Sequence, residues 1–314
     1  MRQTDVVVIG GSAAGIVAAI SCRRRYPDKK VALVRKEAQV LVPCGIPYIF
    51  GTVGSPEKDL IPDALLSNNE IELIVAEAMS ISRESRSVAL KSGENISYDK
   101  LVLATGSVPV RLPIPGSDKK NVFVVSKDID YLRGVQQQVR NARDIVIVGG
   151  GFIGVEFADE CKKAGNANVN IVEILPHCLQ LALDTEFCVE AESVLTERGI
   201  RLLTGQKIES ILGGDTVTGV KLSNGDEVKA DVVIMGVGAA PNVDLARRCG
   251  LEIGPSRAIA VDSFMRTLAD PNIFACGDCA EKRSFFTGRL SPIMLASVAT
   301  AEARLAGANL FTTC

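Results

Sequence analysis

Tryptophan is absent from the 314-residue chain, and aromatic residues make up only 4% of it. The chain therefore has few of the aromatic side chains on which single-stranded nucleic acids stack. Lysine plus arginine number 35 against 37 for aspartate plus glutamate, and the one basic run is Arg23-Arg24-Arg25. Without a basic surface to neutralise phosphates, nucleic acid is not an expected partner.

Long apolar runs are also missing, and no stretch of about 18 uninterrupted apolar residues predicts a membrane span. The apolar N-terminal stretch contains Asp5, breaks at Gly10-Gly11 and is followed by its arginines, the reverse of the order in a signal peptide. The nine cysteines are an odd number scattered along the chain. These features predict reduced thiols and a cytoplasmic location. The length and the 47% hydrophobic content predict two domains with substantial cores.

Two segments of the chain share one design, an apolar run followed by a glycine-rich turn and a helix. The first covers residues 5–15, and its helix continues to about Arg25; the second covers residues 144–154, and its helix continues to about Ala164. A β-branched strand follows each helix, at 31–34 and at 169–172. Each block reads as a βαβ unit, which implies parallel, buried strands. The predicted fold class is α/β, with two Rossmann-like three-layer nucleotide-binding domains.

Proline- and glycine-rich stretches at 109–116 and 236–241 bracket the second βαβ unit. This arrangement predicts that one domain is inserted in the other. Short strands are expected at 207–212, 217–222 and 228–234, with Asn224-Gly225 as a hairpin turn. Near the C-terminal end, Ser291 is expected to cap a helix over 293–310, with Pro292 in its first turn.

The second glycine turn carries the fuller nucleotide-binding pattern. Gly149, Gly151 and Gly154 follow a strand and open a helix, and Glu173 ends the next strand nineteen residues after Gly154. Glycines permit close approach of a pyrophosphate, the helix N-terminus attracts it, and the acid binds ribose hydroxyls. Because a carboxylate repels a 2′-phosphate, NADH is favoured over NADPH. The alternative is a glycine turn required only for helix–sheet packing.

The first turn departs from this pattern. Ser12 stands where the middle glycine between Gly10 and Gly15 belongs, and Arg35 stands where the acid belongs, with Glu37 two residues late. Beside a second nucleotide-binding unit, this turn still predicts a second dinucleotide.

Further motifs follow in order along the chain. They are Ala104-Thr105-Gly106 after an apolar strand, Glu156 behind the second glycine turn, Gly236 to Asn242, and Ile273 to Asp278. With both glycine turns, these motifs cover nearly the whole chain. The sequence resembles the FAD-dependent pyridine nucleotide-disulfide oxidoreductases.

The resemblance implies an FAD-binding domain of residues 1–112 and 242–314, interrupted by an NAD(H)-binding domain of residues 113–241. It implies that Asp278 accepts a hydrogen bond from the FAD ribityl chain and that the helix after Pro292 points its N-terminus at the flavin. The implied FAD residues are Gly10, Ser12, Ala13, Ala14, Gly15, Arg35, Lys36, Glu37, Ala104, Thr105, Gly106, Asp278, Pro292 and Ala296. The implied NAD residues are Gly149, Gly151, Phe152, Ile153, Gly154, Glu156, Glu173 and Gly238. No metal ligand is expected.

Cys44 determines the subclass. Dithiol members of the family carry a second cysteine where this chain has Ile49, so the chain resembles the single-cysteine branch of coenzyme A disulfide reductases and NADH oxidases. A helix start at Cys44 would favour its thiolate. The branch typically has Ser and Asn where this chain has Val40 and Pro43. Arg24 either binds a coenzyme A phosphate, as in the family, or compensates the dipole of its own helix.

The other thiols and the single histidine have simpler interpretations. Cys276 and Cys279 form a CxxC pair without a second pair at zinc spacing, so incidental thiols are expected. His177 is expected in a surface loop, away from Cys44.

The resemblance implies hydride transfer from NADH via FAD to Cys44 as the catalytic residue, and on to a small disulfide or persulfide. The alternatives are an NADH oxidase reducing oxygen to peroxide or water, a rubredoxin- or ferredoxin-type reductase, and an NADH-sensing flavoprotein without turnover. Family members usually continue into a C-terminal dimerisation domain, which we expect to be absent from this chain. A homodimer is expected where the full-length protein carries that domain.

Overall fold

The computed structural model describes residues 2–165 and 167–312. The α-helices of these residues are α1 (Ala13–Arg25), α2 (Ala64–Ser67), α3 (Ile129–Asn141), α4 (Phe152–Ala164), α5 (Thr185–Glu197), α6 (Asp244–Arg248) and α7 (Ala296–Asn309). Their strands are β1 (Arg2–Gln3), β2 (Val6–Ile9), β3 (Val31–Arg35), β4 (Glu72–Val75), β5 (Ala78–Ser82), β6 (Ser87–Leu90), β7 (Asn95–Ser97), β8 (Lys100–Leu103), β9 (Ser107–Pro109), β10 (Val122–Val124), β11 (Asp144–Val148), β12 (Asn168–Val172), β13 (Ile200–Leu203), β14 (Ile208–Leu212), β15 (Gly219–Leu222), β16 (Glu227–Lys229), β17 (Val232–Met235), β18 (Ala239–Pro241), β19 (Arg266–Thr267) and β20 (Asp270–Ala275). Short 3₁₀ helices cover Pro43–Gly45, Pro47–Phe50, Pro56–Asp59 and Gly277–Cys279. No helix within the described ranges has the length and apolar character needed to cross a membrane.

The described residues divide into two compact units. Unit 1 takes in Met1–Val42, Ile61–Val108 and Ala240–Cys314, and unit 2 takes in Pro43–Leu60 and Pro109–Ala239. The main segment of unit 2 therefore lies between two segments of unit 1 along the chain. The segment 43–60, which contains Cys44, groups with unit 2, whereas the sequence prediction placed it in the first domain.

Unit 1 is built on a six-stranded sheet in the order β19-β20-β8-β2-β3-β4. All neighbours are parallel except β19 and β20. Val6, Val7 and Val8 of β2 are completely buried, as expected for a parallel strand covered on both faces. Helix α1 packs against α7 so closely that a Cβ at Gly307 would lie 2.6 Å from the backbone oxygen of Ala18. A separate sheet has the order β1-β7-β6-β5.

Unit 2 is built on a five-stranded parallel sheet in the order β10-β17-β11-β12-β13. An antiparallel sheet, β14-β15-β16, adds a hairpin whose turn is Asn224-Gly225, with Gly225 at a φ of +91°. The predicted single strand over 228–234 is wrong. The chain turns at Ala230-Asp231, where the Asp231 carboxylate accepts backbone bonds from Arg143 and Asp144, so β16 and β17 join different sheets.

The predicted cap at Ser291 is also wrong. Helix α7 begins at Ala296 after Leu295, and Leu295 makes no side-chain capping bond. Ser291 instead donates its amide to the Lys282 oxygen at 2.9 Å, and the following Pro292 disfavours helical backbone at Ser291. The predicted FAD residues Pro292 and Ala296 therefore lie on an irregular segment and at the first helical position of α7.

Candidate functional site

The first glycine turn joins β2 to α1 and packs against the end of β8. Gly10 has a φ of +124°, and a Cβ there would lie 2.0 Å from the Ala104 oxygen. A Cβ at Gly15 would lie 1.8 Å from the Gly10 oxygen. Because both contacts are with backbone, no side-chain movement could relieve them. The structure thus brings Gly10, Gly15 and Ala104 together at one edge of the unit 1 sheet.

The N-terminus of α1 lacks a side-chain cap. Ser12 is the N-cap residue, its hydroxyl makes no capping hydrogen bond, and the first turn, which begins with Ala13 and Ala14, holds no acidic residue. The helix dipole and the uncapped amides of this turn favour an anionic group. This end of α1 therefore fits the pyrophosphate of a dinucleotide such as FAD.

Arg35, at the end of β3, is buried, and its guanidinium is held by hydrogen bonds within unit 1. Its side chain is 1% exposed, and its guanidinium holds both carboxylate oxygens of Asp63 at 2.7 and 2.9 Å. It also donates to the Glu37 backbone oxygen at 2.9 Å, and its stem covers Gly11, where a Cβ would lie 2.4 Å from Arg35 Cδ. Arg35 thus supports the glycine turn from within, while the neighbouring Lys36 is exposed.

Hydrogen bonds join the end of β8 to two later segments of unit 1. The Thr105 hydroxyl donates to the Asn242 backbone oxygen at 2.7 Å, and the Asn242 backbone amide donates to the Gly106 backbone oxygen at 2.9 Å. The Ser107 hydroxyl donates to Asp278 Oδ2 at 2.8 Å. The structure therefore places Asp278 beside the Thr105-Gly106 segment.

The turn that carries Asp278 is fixed by buried polar groups. Glu302 accepts from the Gly277 amide at 2.9 Å, and Lys282 donates to the Gly277 oxygen at 2.6 Å. Burial raises the pKa of Glu302. Cys276 and Cys279 are free and buried, and burial raises the pKa of both thiols. These two thiols support the turn and have none of the exposure that redox cysteines need.

The second glycine turn joins β11 to α4 in unit 2. Gly149 has a φ of +98°, and a Cβ at Gly154 would lie 1.8 Å from the Gly149 oxygen. In contrast, a Cβ at Gly151 would meet nothing within 4 Å. Gly151 is the N-cap of α4, makes no side-chain cap, and is followed by a first turn without an acidic residue. An uncapped helix end facing open space is suited to a pyrophosphate.

Glu173 follows β12 and is 8% exposed. Its carboxylate accepts from the Gly150 amide through Oε2 and from the Leu175 amide at 2.7 Å through Oε1. Glu173 therefore connects the glycine turn to the loop after β12, in addition to standing at the position where a ribose is expected.

The remaining predicted NAD residues lie in the first turns of α4 and in the segment between β17 and β18. Phe152 and Ile153 begin α4, and Phe152 is 55% exposed. Burial, with a smaller effect of Glu160, raises the pKa of Glu156. Gly238 has a φ of +93° and faces open space.

Cys44 differs from the other thiols in its exposure. Among the eight cysteines that the structure describes, Cys44 is exposed, Cys249 is partly buried and the others are buried. Cys44 lies in the three-residue 3₁₀ turn Pro43–Gly45. The α-helix start that would favour a Cys44 thiolate is therefore not present at this position. Exposure is the property that sulfur exchange with a small molecule requires.

Residues 43–60, the Cys44 segment, are held on the helices of unit 2. Glu160 of α4, with a side chain 1% exposed, accepts from the Thr52 amide at 2.6 Å and the Thr52 hydroxyl at 2.9 Å. Gln136 of α3 donates to the Ile49 oxygen at 2.7 Å. Phe50 packs against Phe157 of α4, with ring centroids 5.1 Å apart. The segment is thus fixed by buried hydrogen bonds as well as by aromatic packing.

Replacing Glu160 with glutamine is expected to destabilise unit 2 by about 2 kcal/mol, because a buried acceptor of two bonds becomes partly a donor. Urea denaturation would measure the loss, and limited proteolysis would show earlier cleavage within residues 43–60. Glu190→Gln, a matched change at an exposed position of α5, is the control. Equal midpoints for the two variants would contradict this role of Glu160.

Sequence reasoning missed the anchoring residues. Glu160 shares the buried face of α4 with Phe157, Ala158 and Cys161. An acid on an otherwise apolar helix face is a sequence pattern that could have indicated a buried hydrogen-bonding role. Thr52 and Gln136 carried no such signal, since their partners are 108 and 87 residues away.

Two Rossmann-like units, each with a glycine turn and an uncapped helix end, define a dinucleotide-dependent oxidoreductase. The family model for pyridine nucleotide-disulphide oxidoreductases matches residues 4–303. The chain belongs to this family and is an NAD(P)H-dependent oxidoreductase. The predicted resemblance is confirmed, and membership implies the predicted cofactors, FAD and NADH.

Curated relatives with different names match nearly the whole chain. The NADH oxidase of Methanocaldococcus jannaschii is 31% identical over 97% of this chain and 69% of its own length. The CoA-dependent NAD(P)H sulfur oxidoreductase of Pyrococcus abyssi is 32% identical over 98% of this chain and 70% of its own length.

Solved structures confirm the predicted α/β fold. The NAD-dependent persulfide reductase of A. fulgidus superposes with a TM-score of 0.90 at 32% identity, over 96% of this chain and 58% of its own. The ferredoxin reductase of Rhodopseudomonas palustris also gives 0.90 at 32% identity, over 98% of this chain and 76% of its own. This chain thus spans little more than half of the persulfide reductase.

Proposed function

We propose that this chain uses NADH and FAD to reduce a small disulfide or persulfide through Cys44. The observation that carries the proposal is the exposure of Cys44, in contrast to the burial of the other described thiols apart from the partly buried Cys249. Burial raises the pKa of Cys22, Cys161 and Cys178 to about 12, which makes those thiols poor nucleophiles. The names of the relatives from Pyrococcus abyssi and A. fulgidus support the same chemistry.

Each unit would bind one cofactor by the same means. The uncapped amides of α1 would hold the FAD pyrophosphate, and those of α4 would hold the NADH pyrophosphate. FAD, when bound, accepts a hydride equivalent from NADH and passes two electrons to sulfur. Around FAD we assign Gly10, Ser12, Ala13, Ala14, Gly15, Arg35, Lys36, Glu37, Ala104, Thr105, Gly106, Asp278, Pro292 and Ala296. Around NADH we assign Gly149, Gly151, Phe152, Ile153, Gly154, Glu156, Glu173 and Gly238, with residues 113–241 as the NAD(H)-binding domain and the rest as the FAD-binding domain.

Cys44 would perform the sulfur exchange. Its thiolate attacks one sulfur of R–S–S–R′, forming a mixed disulfide with R–S and releasing R′–S⁻. Two electrons then cleave the mixed disulfide into the Cys44 thiolate and R–S⁻. With one further proton taken up, the sum is R–S–S–R′ + NADH + H⁺ → R–SH + R′–SH + NAD⁺.

Anaerobic titration with NADH of the FAD-loaded protein, in which Cys44 has first been converted to a mixed disulfide, tests this function. A long-wavelength absorption band, from a Cys44 thiolate beside oxidised flavin, is expected to appear during the titration and to be absent in Cys44→Ser. Bleaching of the flavin without that band in the wild-type protein would contradict the role of Cys44. A purified protein without any flavin spectrum would overturn the FAD assignment itself.

A second candidate is direct reduction of oxygen, which the name of the Methanocaldococcus jannaschii relative supports. A third is electron transfer to a rubredoxin- or ferredoxin-type protein, supported by the Rhodopseudomonas palustris structure. Both predict that Cys44 is dispensable for turnover of the preferred acceptor. A carrier protein that raises turnover would favour the third.

Cytoplasmic location and a homodimer remain predictions. The location is supported by the eight described cysteines, all free, since free thiols are typical of reducing compartments.

A further inference from the structure

The carboxyl group of Asp59 is packed directly beneath the residue that follows Cys44. Asp59 ends the 3₁₀ helix Pro56–Asp59 and is 8% exposed. A Cβ at Gly45 would lie 1.8 Å from Asp59 Oδ1 and 2.9 Å from Oδ2. Only a residue without a side chain therefore fits at Gly45 while the Asp59 carboxyl stays in place.

This carboxyl group lacks the partners that a buried acid normally has. Asp59 Oδ2 is shielded from solvent and has no hydrogen-bond partner, and Asp59 joins no ion pair among residues 2–165 and 167–312. A buried carboxylate without a counter-charge is costly, so the neutral form is favoured. Burial accordingly raises the pKa of Asp59 to about 6, which places its ionisation within the working range of an enzyme.

The charged neighbours of Asp59 are either occupied by other partners or exposed. Arg133 of α3 pairs with Glu57 and Asp130, and Arg140 donates to the Gly54 oxygen. Lys58, beside Asp59, is exposed. The other titratable groups on the elements packed against this 3₁₀ helix are Cys44, Tyr48 and Tyr131, and the Tyr131 hydroxyl bonds to the Val124 backbone.

The rate of the proposed sulfur exchange depends on the fraction of Cys44 that is a thiolate, so charged or titratable groups near Cys44 bear on it. The chain contains one histidine. That histidine, His177, bonds to Glu192 of α5 through Nδ1 at 3.1 Å. No histidine is therefore assigned to Cys44, and Asp59 is the buried acid that contacts its turn.

We propose that Asp59 is a positioning residue that controls the charge at the Cys44 turn: as a neutral acid it leaves the Cys44 thiolate undisturbed, and as a carboxylate it disfavours that thiolate and keeps a proton on the sulfur. This inference rests on the proposed function of Cys44. Each group exchanges its proton with solvent: Asp59 releases its own proton when it ionises, and the resulting negative charge makes loss of the Cys44 proton less favourable. Asp59 thereby links the nucleophilic thiolate to pH.

The experiment follows alkylation of Cys44 by iodoacetamide in the FAD-loaded protein, from pH 5 to about pH 9, with peptide mass spectrometry to separate Cys44 from the other thiols. We expect Asp59→Asn and wild type to react at equal rates at about pH 5, where both side chains are neutral. At about pH 8 the variant should react roughly tenfold faster, because a nearby like charge alters the thiolate fraction by about that factor. Glu190→Gln, which removes an exposed acid of α5, should match wild type throughout.

A purely structural role of Asp59 would alter Cys44 access by the same factor at every pH, and that result would overturn the proposal. The wild-type profile supplies a second test that needs no variant, in case Asp59→Asn fails to fold. It should show a shoulder near pH 6, and a single-ionisation curve would contradict the proposal. The alkylation rates do not depend on the electron acceptor. They therefore test Asp59 separately from Cys44→Ser turnover, which tests the proposed function.

Discussion

Cys44→Ser is expected to lower NADH-dependent reduction of a small disulfide or persulfide by about a thousandfold or more, because the attacking thiolate is removed. A serine hydroxyl in the short exposed turn Pro43–Gly45 is a much weaker nucleophile than a thiolate at neutral pH and does not replace it. The change adds no volume and breaks no buried contact, so the protein should fold and bind both cofactors normally. The loss should therefore appear in kcat for the disulfide, with the affinity for NADH unchanged.

Steady-state turnover with a disulfide, a persulfide and oxygen, measured in parallel, checks this result. Cys249→Ser is a matched control, because Cys249 is the partly buried thiol of unit 1 whose pKa burial raises. That variant should keep wild-type rates with all three acceptors. If Cys44→Ser also kept its disulfide turnover, the proposed function would be wrong. Retained oxygen consumption with lost disulfide turnover would support it.

Local sequence signals were sufficient for the two βαβ units. Helices α1 and α4 end at Arg25 and Ala164, as predicted, because glycine turns and apolar strands act over short distances. The continuous apolar pattern at 228–234 was misleading. The chain turns at Asp231 because its carboxylate accepts hydrogen bonds from the backbone amides at the start of β11, about ninety residues away in sequence. The same limit applies to Ser291, where a local cap signal was overridden by the path of the chain.

The parts of the candidate site that escaped prediction are held by long-range contacts. The grouping of Cys44 with unit 2 depends on Glu160 and Gln136, which bind the segment 43–60 across more than eighty residues of sequence. The burial of Asp59 under Gly45 depends on how three short 3₁₀ helices fold back on one another. Arg35 ends β3, and its guanidinium binds the Asp63 carboxylate. Sequence spacing identifies such residues, whereas their partners come from tertiary packing.

Alanine substitutions at Gly154 and Gly151 are expected to separate folding from NADH binding. A Cβ at Gly154 would lie 1.8 Å from the Gly149 backbone oxygen, so Gly154→Ala must move the turn or the helix. The expected cost is about 4 kcal/mol, a large share of the stability of a domain. Unit 2 of this variant should unfold at a lower urea concentration than wild type. NADH binding should be lost together with the folded structure of unit 2.

Gly151→Ala should have the opposite character. Gly151 has a φ of −74°, which alanine adopts without strain, and its Cβ would meet nothing within 4 Å. Stability should therefore fall by about 1 kcal/mol or less. The new methyl group would occupy the open space that we assign to the pyrophosphate, and the NADH dissociation constant should rise by an order of magnitude or more.

Urea denaturation and NADH titration of both variants provide the comparison, with the FAD content of each protein as an internal control for unit 1. A stable Gly151→Ala protein with weak NADH binding and full FAD content would place the pyrophosphate at the N-terminus of α4. Unchanged NADH affinity in that variant would show that the open space at Gly151 is not the binding position. The glycine turn would then serve the packing of α4 on β11, and the NADH site would have to be sought elsewhere in unit 2.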